Sequence, residues 1–536
     1  MGELINYLIY NGQVGKYLRL LLLTGFLNAL SWIILIPIWQ YPDEQAHFAQ
    51  VQDVAELGKR PISKFNTSLE VALSEKILGT ERDWMGNNKF TYHSEYRLDY
   101  SDTYFGSEEN LIMSLPQSTR SQLVKNEATL NPPLYPFLGS LFYRLFESGS
   151  LFVRVYAVRL MSLIFFLSMV VVSYKIGQLI FVKSKILPLV LASIVTFMPM
   201  FVFTSTGILP DPLTNLLFSL VIFLSLKILT KGLNFFVMFF LIIVIILGSL
   251  TRQQFLISIP IIVLPVIYQI FKNFKFLKKS LIFTILFVMI IFIASFFIKY
   301  LEPIKTFSVS EIGQVDPRKL LNSHFLQFTL WTIRHTYSEV LPWYWGVYKW
   351  LSLTVPHINY QIINRFILIA FIGIIIRLSQ IIKNRKVEEQ DKILFFMLYA
   401  SIVYFLIFLI WDYFFSLQHG YSFGIQGRYF FPMITAHFTI LTVGFWQIAR
   451  LFFRKFAKYM LIIMVFLMMI FNNISLSYIS ASYYKTSSIS TFVNQASQYK
   501  PSLIKGNIIL LIILITLGAQ GLFLFNLIKY AKKSAD

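Results

Sequence analysis

The chain contains no cysteine in 536 residues, and its 26 acidic residues are far outnumbered by 47 basic ones. Without a thiol there is no disulfide, no cysteine nucleophile and no thiolate metal site. Charge of either sign is scarce: 14% of residues are charged and 56% hydrophobic, with a mean hydropathy of +0.64. That balance excludes an ordinary soluble globular protein. No glycine-rich phosphate loop occurs, no soluble domain stands out on the basic side of the chain, and no internal repeat is convincing. The sequence therefore shows no means of using ATP. A net charge of +21 would suggest nucleic acid in a soluble protein. Here the basic residues sit in short loops between apolar runs, where they set membrane orientation instead.

What is present is a series of apolar runs, each long enough to cross a bilayer, which makes an all-α polytopic membrane protein forming a single domain over 1–536. Hydropathy places about twelve spans, near 17–39, 151–174, 186–206, 212–230, 233–250, 254–271, 280–299, 359–382, 393–411, 429–448, 458–478 and 506–528. The first run reads as a retained helix rather than a signal peptide, because it is long and no small-x-small cleavage site precedes Pro42. With both termini in the cytoplasm, the clusters around Lys183, Lys231, Lys272, Arg377–Lys392, Arg450–Lys458 and Lys529–Lys533 all fall inside. The short outer loops keep only Arg252, Arg428, Lys485, Lys500 and Lys505. The expected location is a bacterial plasma membrane.

Two outer loops, 40–150 and 301–358, are longer than a connection requires, and such loops usually carry function. The first opens on Pro42-Asp43-Glu44-Gln45-Ala46-His47, where the proline ends the preceding geometry and Asp43 is a good N-cap for a helix from Glu44 to about Leu57. On that helix Asp43, His47 and Gln50 share a face. It continues through a polar middle to Asn131-Pro132-Pro133-Leu134-Tyr135 and an amphipathic segment reaching about Phe146. The second loop carries Asp316, His324, His335, Glu339 and several tryptophans, which are ordinary interfacial anchors, and the two histidines lack the acidic partners a metal site needs.

Sorted by side, the unusual polar residues collect outside: Asp43, Glu44 and His47; Asn131 and Tyr135; Asp211 between Pro210 and Pro212; Arg252; Gln426 and Arg428 beside Gly427. Arg154 and Arg159, near the outer end of the second span, are the remaining candidates. Each has a plain alternative. Asp211 reads first as a helix cap with Pro212 at the next position, and boundary arginines commonly snorkel. Acidic groups on one loop with arginines on others suit a reaction in which an alcohol attacks a sugar carbon and a phosphate leaves, the carboxylate taking the proton. Gly427 would let a bulky headgroup approach the backbone beside Arg428.

Pro42 to His47, Asn131 to Tyr135 and Gly427 to Pro432, in this order, resemble the bacterial membrane proteins grouped as domain of unknown function 2142. That group in turn resembles the GT-C class of membrane glycosyltransferases. The likeness covers residue 20 to about residue 450, and the last two spans carry no motif. It implies a GT-C-like bundle of about 12 helices with a long first extracytoplasmic loop containing short juxtamembrane helices. It also implies an inverting transferase, with a polyprenyl-phosphate-linked sugar as donor and a surface polysaccharide, teichoic acid or glycolipid as acceptor. The catalytic base of such enzymes maps onto Asp43, with Glu44 and His47 beside it. Many of them hold a divalent cation, Mg or Mn, for which Asp43 and Glu44 are the residues available. This chain lacks the twin Asp-x-Asp pattern, which leaves the metal open. Two further readings stand beside the transferase: a lipid-linked glycan transporter or flippase, and a polysaccharide polymerase or ligase.

Overall fold

A computed structural model describes residues 12–59, 65–83, 86–125, 132–272 and 323–533. Nine of the described helices are long and apolar enough to cross a membrane. In hydrocarbon each backbone amide and carbonyl must bond within its own segment, so an apolar run of this length closes into a helix. The expected span at 186–206 is instead a bent pair, Leu187–Phe197 and Pro199–Thr206, turned through 63°. Pro199 has no amide proton to continue the first helix and starts the second one. The expected span at 233–250 is the shorter helix Phe235–Ser249, and the one at 280–299 lies outside the described residues. The chain is a multi-pass helical membrane protein, with two short two-stranded ribbons among the described residues.

Helices Leu151–Ile180 and Asp211–Lys231 lie in the middle of the bundle and are largely buried, whereas His357–Asn384 and Ile508–Lys533 turn most of their surface outward, as lipid-facing helices do. Leu368, Phe371 and Ile375 are exposed on that outer surface. Helices His357–Asn384 and Ile434–Phe452 cross closely at Gly373 and Gly444, where an added Cβ on either would run into the other helix's backbone.

Because the spans alternate, their connections sort to two ends. The basic clusters at Lys183, Lys231, Lys272, Arg450 and Lys533 close helices at one end. The long loops gather at the other. There Phe65–Ser68 pairs antiparallel with Leu123–Lys125, and Val347–Tyr348 with Leu353–Thr354. The second ribbon lies on the first loop: Tyr92 N donates to Trp350 O at 3.1 Å, Lys349 Nζ to Ser94 O at 3.0 Å, and Trp350 Nε1 to Trp39 O at 3.4 Å. On the other flank Gln495 Nε2 donates to Asp102 at 2.8 Å and the Tyr499 amide to Glu109 at 2.8 Å. The short helix Leu134–Arg144 buries Tyr135, Gly139 and Tyr143 while exposing Phe137 and Leu141, the pattern of a segment lying along a membrane surface.

Candidate functional site

The segment leaving the first span turns at Pro42 and Asp43 into the helix Glu44–Leu57, the bounds its sequence indicates. Asp43 does not cap it as expected. Its backbone is left-handed, at φ 54 and ψ 21, and its side chain bonds no helix amide. Aspartate tolerates this conformation better than most residues. The carboxylate turns instead into a cavity of about 520 Å³ at the loop-bearing end, lined among others by Arg82, Arg428, Gln426, Tyr348 and Trp350.

Two guanidinium groups hold Asp43 from opposite sides: Arg82 Nη1 lies 3.3 Å from Oδ1, and Arg428 Nη2 lies 3.5 Å from Oδ2. Both arginine side chains are buried, while Asp43 keeps 41% of its side chain open to the cavity. Burial by itself would raise the Asp43 carboxyl, but Arg428, Arg82 and then His47 together hold it below the usual carboxylate range. Burial pushes the His47 imidazole down to about 4 against the pull of Asp43, so it stays neutral near pH 7.

The other expected residues divide. Gln426 lines the cavity with Asp43 and Arg428. Asp211 begins its helix without capping it and pairs with Arg252 at 2.6 Å, a pair within electrostatic reach of His47. Tyr135 is buried with its hydroxyl 3.2 Å from Ser162 Oγ. Asn131 lies outside the described residues.

Glu44, Arg159 and Arg154 do not join Asp43 and form structural pairs instead. Arg159 Nε and Nη2 donate to the two Glu44 oxygens at 2.8 and 2.7 Å, and the Trp39 amide donates to Glu44 at 3.0 Å. The remaining Arg159 protons go to the carbonyls of Ile33, Ile36 and Pro37, groups that the end of the first span leaves without helical partners. Glu44 and Arg159 are thus a fully buried rivet between two spans. Arg154 is spent likewise on Glu70, at 2.6 and 3.1 Å. Gly427 also has a packing reason: an added Cβ would strike the backbone of Trp343 and Tyr344, so its bareness seats that turn rather than a headgroup.

The donor set around Asp43 does not fit a divalent cation. Guanidinium groups stand where ligands would be needed, Glu44 is used up by Arg159, and no cluster of three His, Asp or Glu suited to a metal occurs among the described residues. Arg82 is the residue that sequence reading missed. It sits in the polar middle of the first loop, where Arg97 and Arg120 also occur, and no motif separates it from them.

The family model described as predicted membrane protein (DUF2142) matches residues 26–436. No curated protein matches the sequence. Among solved structures, the chain is similar to the apo oligosaccharyltransferase of Archaeoglobus fulgidus, with a TM-score of 0.43 and 13% identity over 87% of this chain and 56% of that one. It is similar also to an archaeal oligosaccharyltransferase from Archaeoglobus fulgidus in complex with an inhibitory peptide and a dolichol-phosphate, with a TM-score of 0.43 and 12% identity over 89% of this chain and 56% of that one. The chain spans little more than half the length of either.

Proposed function

The chain belongs to the DUF2142 family of predicted membrane proteins, and from there we propose that it is a membrane glycosyltransferase. In this reading it moves a sugar from a polyprenyl-phosphate donor to a polysaccharide, teichoic acid or glycolipid on the extracytoplasmic face. The observation that carries it is one carboxylate, Asp43, facing a cavity between two buried arginines at the end of a membrane bundle. The concentration of basic clusters at the opposite end supports an extracytoplasmic site.

The chemistry balances with these groups alone. The acceptor hydroxyl oxygen bonds to the anomeric carbon while its proton passes to Asp43. The bond from that carbon to the phosphate oxygen breaks, and polyprenyl phosphate departs with the electron pair. One displacement inverts the anomeric centre. A positioned base supplies on the order of 100-fold or more, and an arginine facing the leaving phosphate stabilises charge that grows in the transition state. His47, neutral near pH 7, lies within electrostatic reach of Asp43.

The test is release of polyprenyl phosphate by purified full-length protein from a panel of polyprenyl-phosphate hexoses, with a membrane glycan fraction as acceptor. The parent should release it and Asp43→Asn should not. Equal release by both proteins overturns the assignment.

A further inference from the structure

We propose that Asp43 is a temporary occupant of an anion seat formed by Arg82 and Arg428, and that a phosphate group displaces it, releasing the carboxylate for proton transfer. This rests on the transferase reading for its last step but not for its binding step.

The first observation is a contrast of distances within the chain. Three ion pairs elsewhere in the bundle are tight: Glu44 with Arg159 at 2.7 Å, Glu70 with Arg154 at 2.6 Å, Asp211 with Arg252 at 2.6 Å; Arg120, which stays 3.6 Å from Glu70, donates instead to Glu147 O at 2.8 Å. Asp43 meets its two arginines only at 3.3 and 3.5 Å. Charge-assisted contacts normally close to about 2.7–2.9 Å. A carboxylate that reaches across to two guanidiniums and closes on neither leaves room for a larger oxyanion.

The second observation is unspent donors. Arg82 Nε and Nη2, and Arg428 Nε and Nη1, are buried without a hydrogen-bond partner among the described residues. Only 6% and 7% of these side chains is exposed, and both line the cavity. Burying charged donors unpaired is costly, and Arg159 avoids it by spending its protons on Glu44 and three carbonyls. The donors left over at Arg82 and Arg428 outnumber what a carboxylate can accept. The donor's phosphodiester is a larger, tetrahedral oxyanion of the same single charge, and the phosphate monoester that departs brings a third terminal oxygen and more charge; guanidinium forks match either in pairs.

The third observation is that Arg82 is placed and Asp43 is not. Arg82 bridges to Asn88 in a turn closed by the Asp83 amide on Asn87 O at 2.6 Å and the Asn87 amide on Asp83 Oδ1 at 2.9 Å. The Asp43 side chain caps nothing, so it can leave by side-chain rotation alone. Once the arginines turn to phosphate, the groups that depress the Asp43 carboxyl are neutralised, and it becomes a stronger base only when a donor is present. Arg82 is thus a phosphate ligand, and the seat couples donor arrival to activation.

The experiment titrates purified full-length protein with farnesyl phosphate and, separately, inorganic phosphate, read by the tryptophan fluorescence of the cavity. Asp43→Asn should bind both about 3–10-fold more tightly, because the competing carboxylate is gone, and Arg82→Gln about 10-fold more weakly. In the double variant the gain from Asp43→Asn should fall below about 2-fold, since only one arginine remains to be freed. An unchanged or weakened affinity in Asp43→Asn overturns the proposal, as does a gain undiminished by Arg82→Gln, which would reflect charge alone. Arg82→Lys controls for folding: it should melt like the parent and still bind more weakly, and parent-like binding overturns the ligand role. Farnesyl phosphate affinity indifferent to every variant, held by its chain, overturns it too. The same Asp43→Asn protein separates the two readings. Lost transfer with unchanged phosphate affinity keeps the transferase and rejects the seat, and tighter phosphate binding with full transfer does the reverse.

Discussion

Asp43 and Arg428 stand 385 residues apart in the chain and meet at 3.5 Å across the mouth of the bundle. Their meeting ties the end of the first span to the start of the Gly427–Phe452 span, with Arg82 of the intervening loop on the other side of the carboxylate. The two members of the Asp43-Glu44 dipeptide face different tasks. Glu44 turns inward to Arg159 and holds two spans together, while Asp43 turns outward to a cavity.

That division predicts different failures for adjacent residues. Asp43→Asn should lower the melting temperature less than Glu44→Gln does, because its contacts to Arg82 and Arg428 are longer and its carboxylate is partly exposed to a cavity, and should lower turnover by about 100-fold or more. Glu44→Gln should unfold at lower temperature, because a buried Arg159 left without its carboxylate costs roughly 3–5 kcal/mol. Thermal melts and transfer rates on both variants check this, and a stable, inactive Glu44→Gln beside a fully active Asp43→Asn would exchange their roles.

The acidic limb of the rate profile should report Asp43. Its carboxyl is held down in the free protein by Arg428, Arg82 and His47, so kcat/KM should stay level as pH falls to below about 4, the ordinary carboxylate value. Arg82→Gln removes one of the two guanidinium groups, so its limb should move to higher pH. In the donor complex, with the arginines facing phosphate, the limb of kcat should also lie at higher pH than that of kcat/KM. Profiles of both parameters for parent and variant decide it. The stability share carried by this carboxylate has the same sign: present above its unfolded value, lost as pH falls through the lowered folded one.

The spans were legible because lipid demands long apolar runs and allows few alternatives. The break at Met198-Pro199 was hidden by continuous hydropathy, since a bend leaves composition unchanged. Asp43 could be read from the proline before it and its place at the membrane mouth. The loss of Arg154 and Arg159 to Glu70 and Glu44 could not, because those pairs close over 84 and 115 residues and nothing local marks them. Arg82 was illegible for the same reason: its importance comes from which carboxylate the fold sets beside it.

The loop-bearing end should be accessible from outside the cell. A cysteine at Ser101, which is exposed in the first loop, is the chain's only thiol once introduced, and an impermeant maleimide should label it in intact cells. A cysteine replacing exposed Lys183, at the opposite end, should label only after permeabilisation. The reverse pattern would put the cavity in the cytoplasm and remove the lipid-phosphate donor from the reading.

Lysine substitution should separate Arg428 from Arg252, although both arginines lie at the same end of the bundle with a carboxylate partner. Arg252 closes on Asp211 at 2.6 Å and does not line the cavity, so a lysine that keeps the charge keeps most of what the residue does. Arg428 lies only 3.5 Å from Asp43, lines the cavity, and has Nε and Nη1 without a hydrogen-bond partner among the described residues. An ammonium there supplies a point charge but not the paired, planar donors that grip two phosphate oxygens. In a partly desolvated site that loss should weaken the transition state by roughly 2–3 kcal/mol, about 30- to 150-fold in rate. Arg428→Lys should therefore lose both transfer and farnesyl phosphate affinity, with Arg252→Lys staying within about 3-fold of the parent. If both variants match the parent, Arg428 is an anchor at the membrane boundary, and the leaving phosphate depends on Arg82 alone.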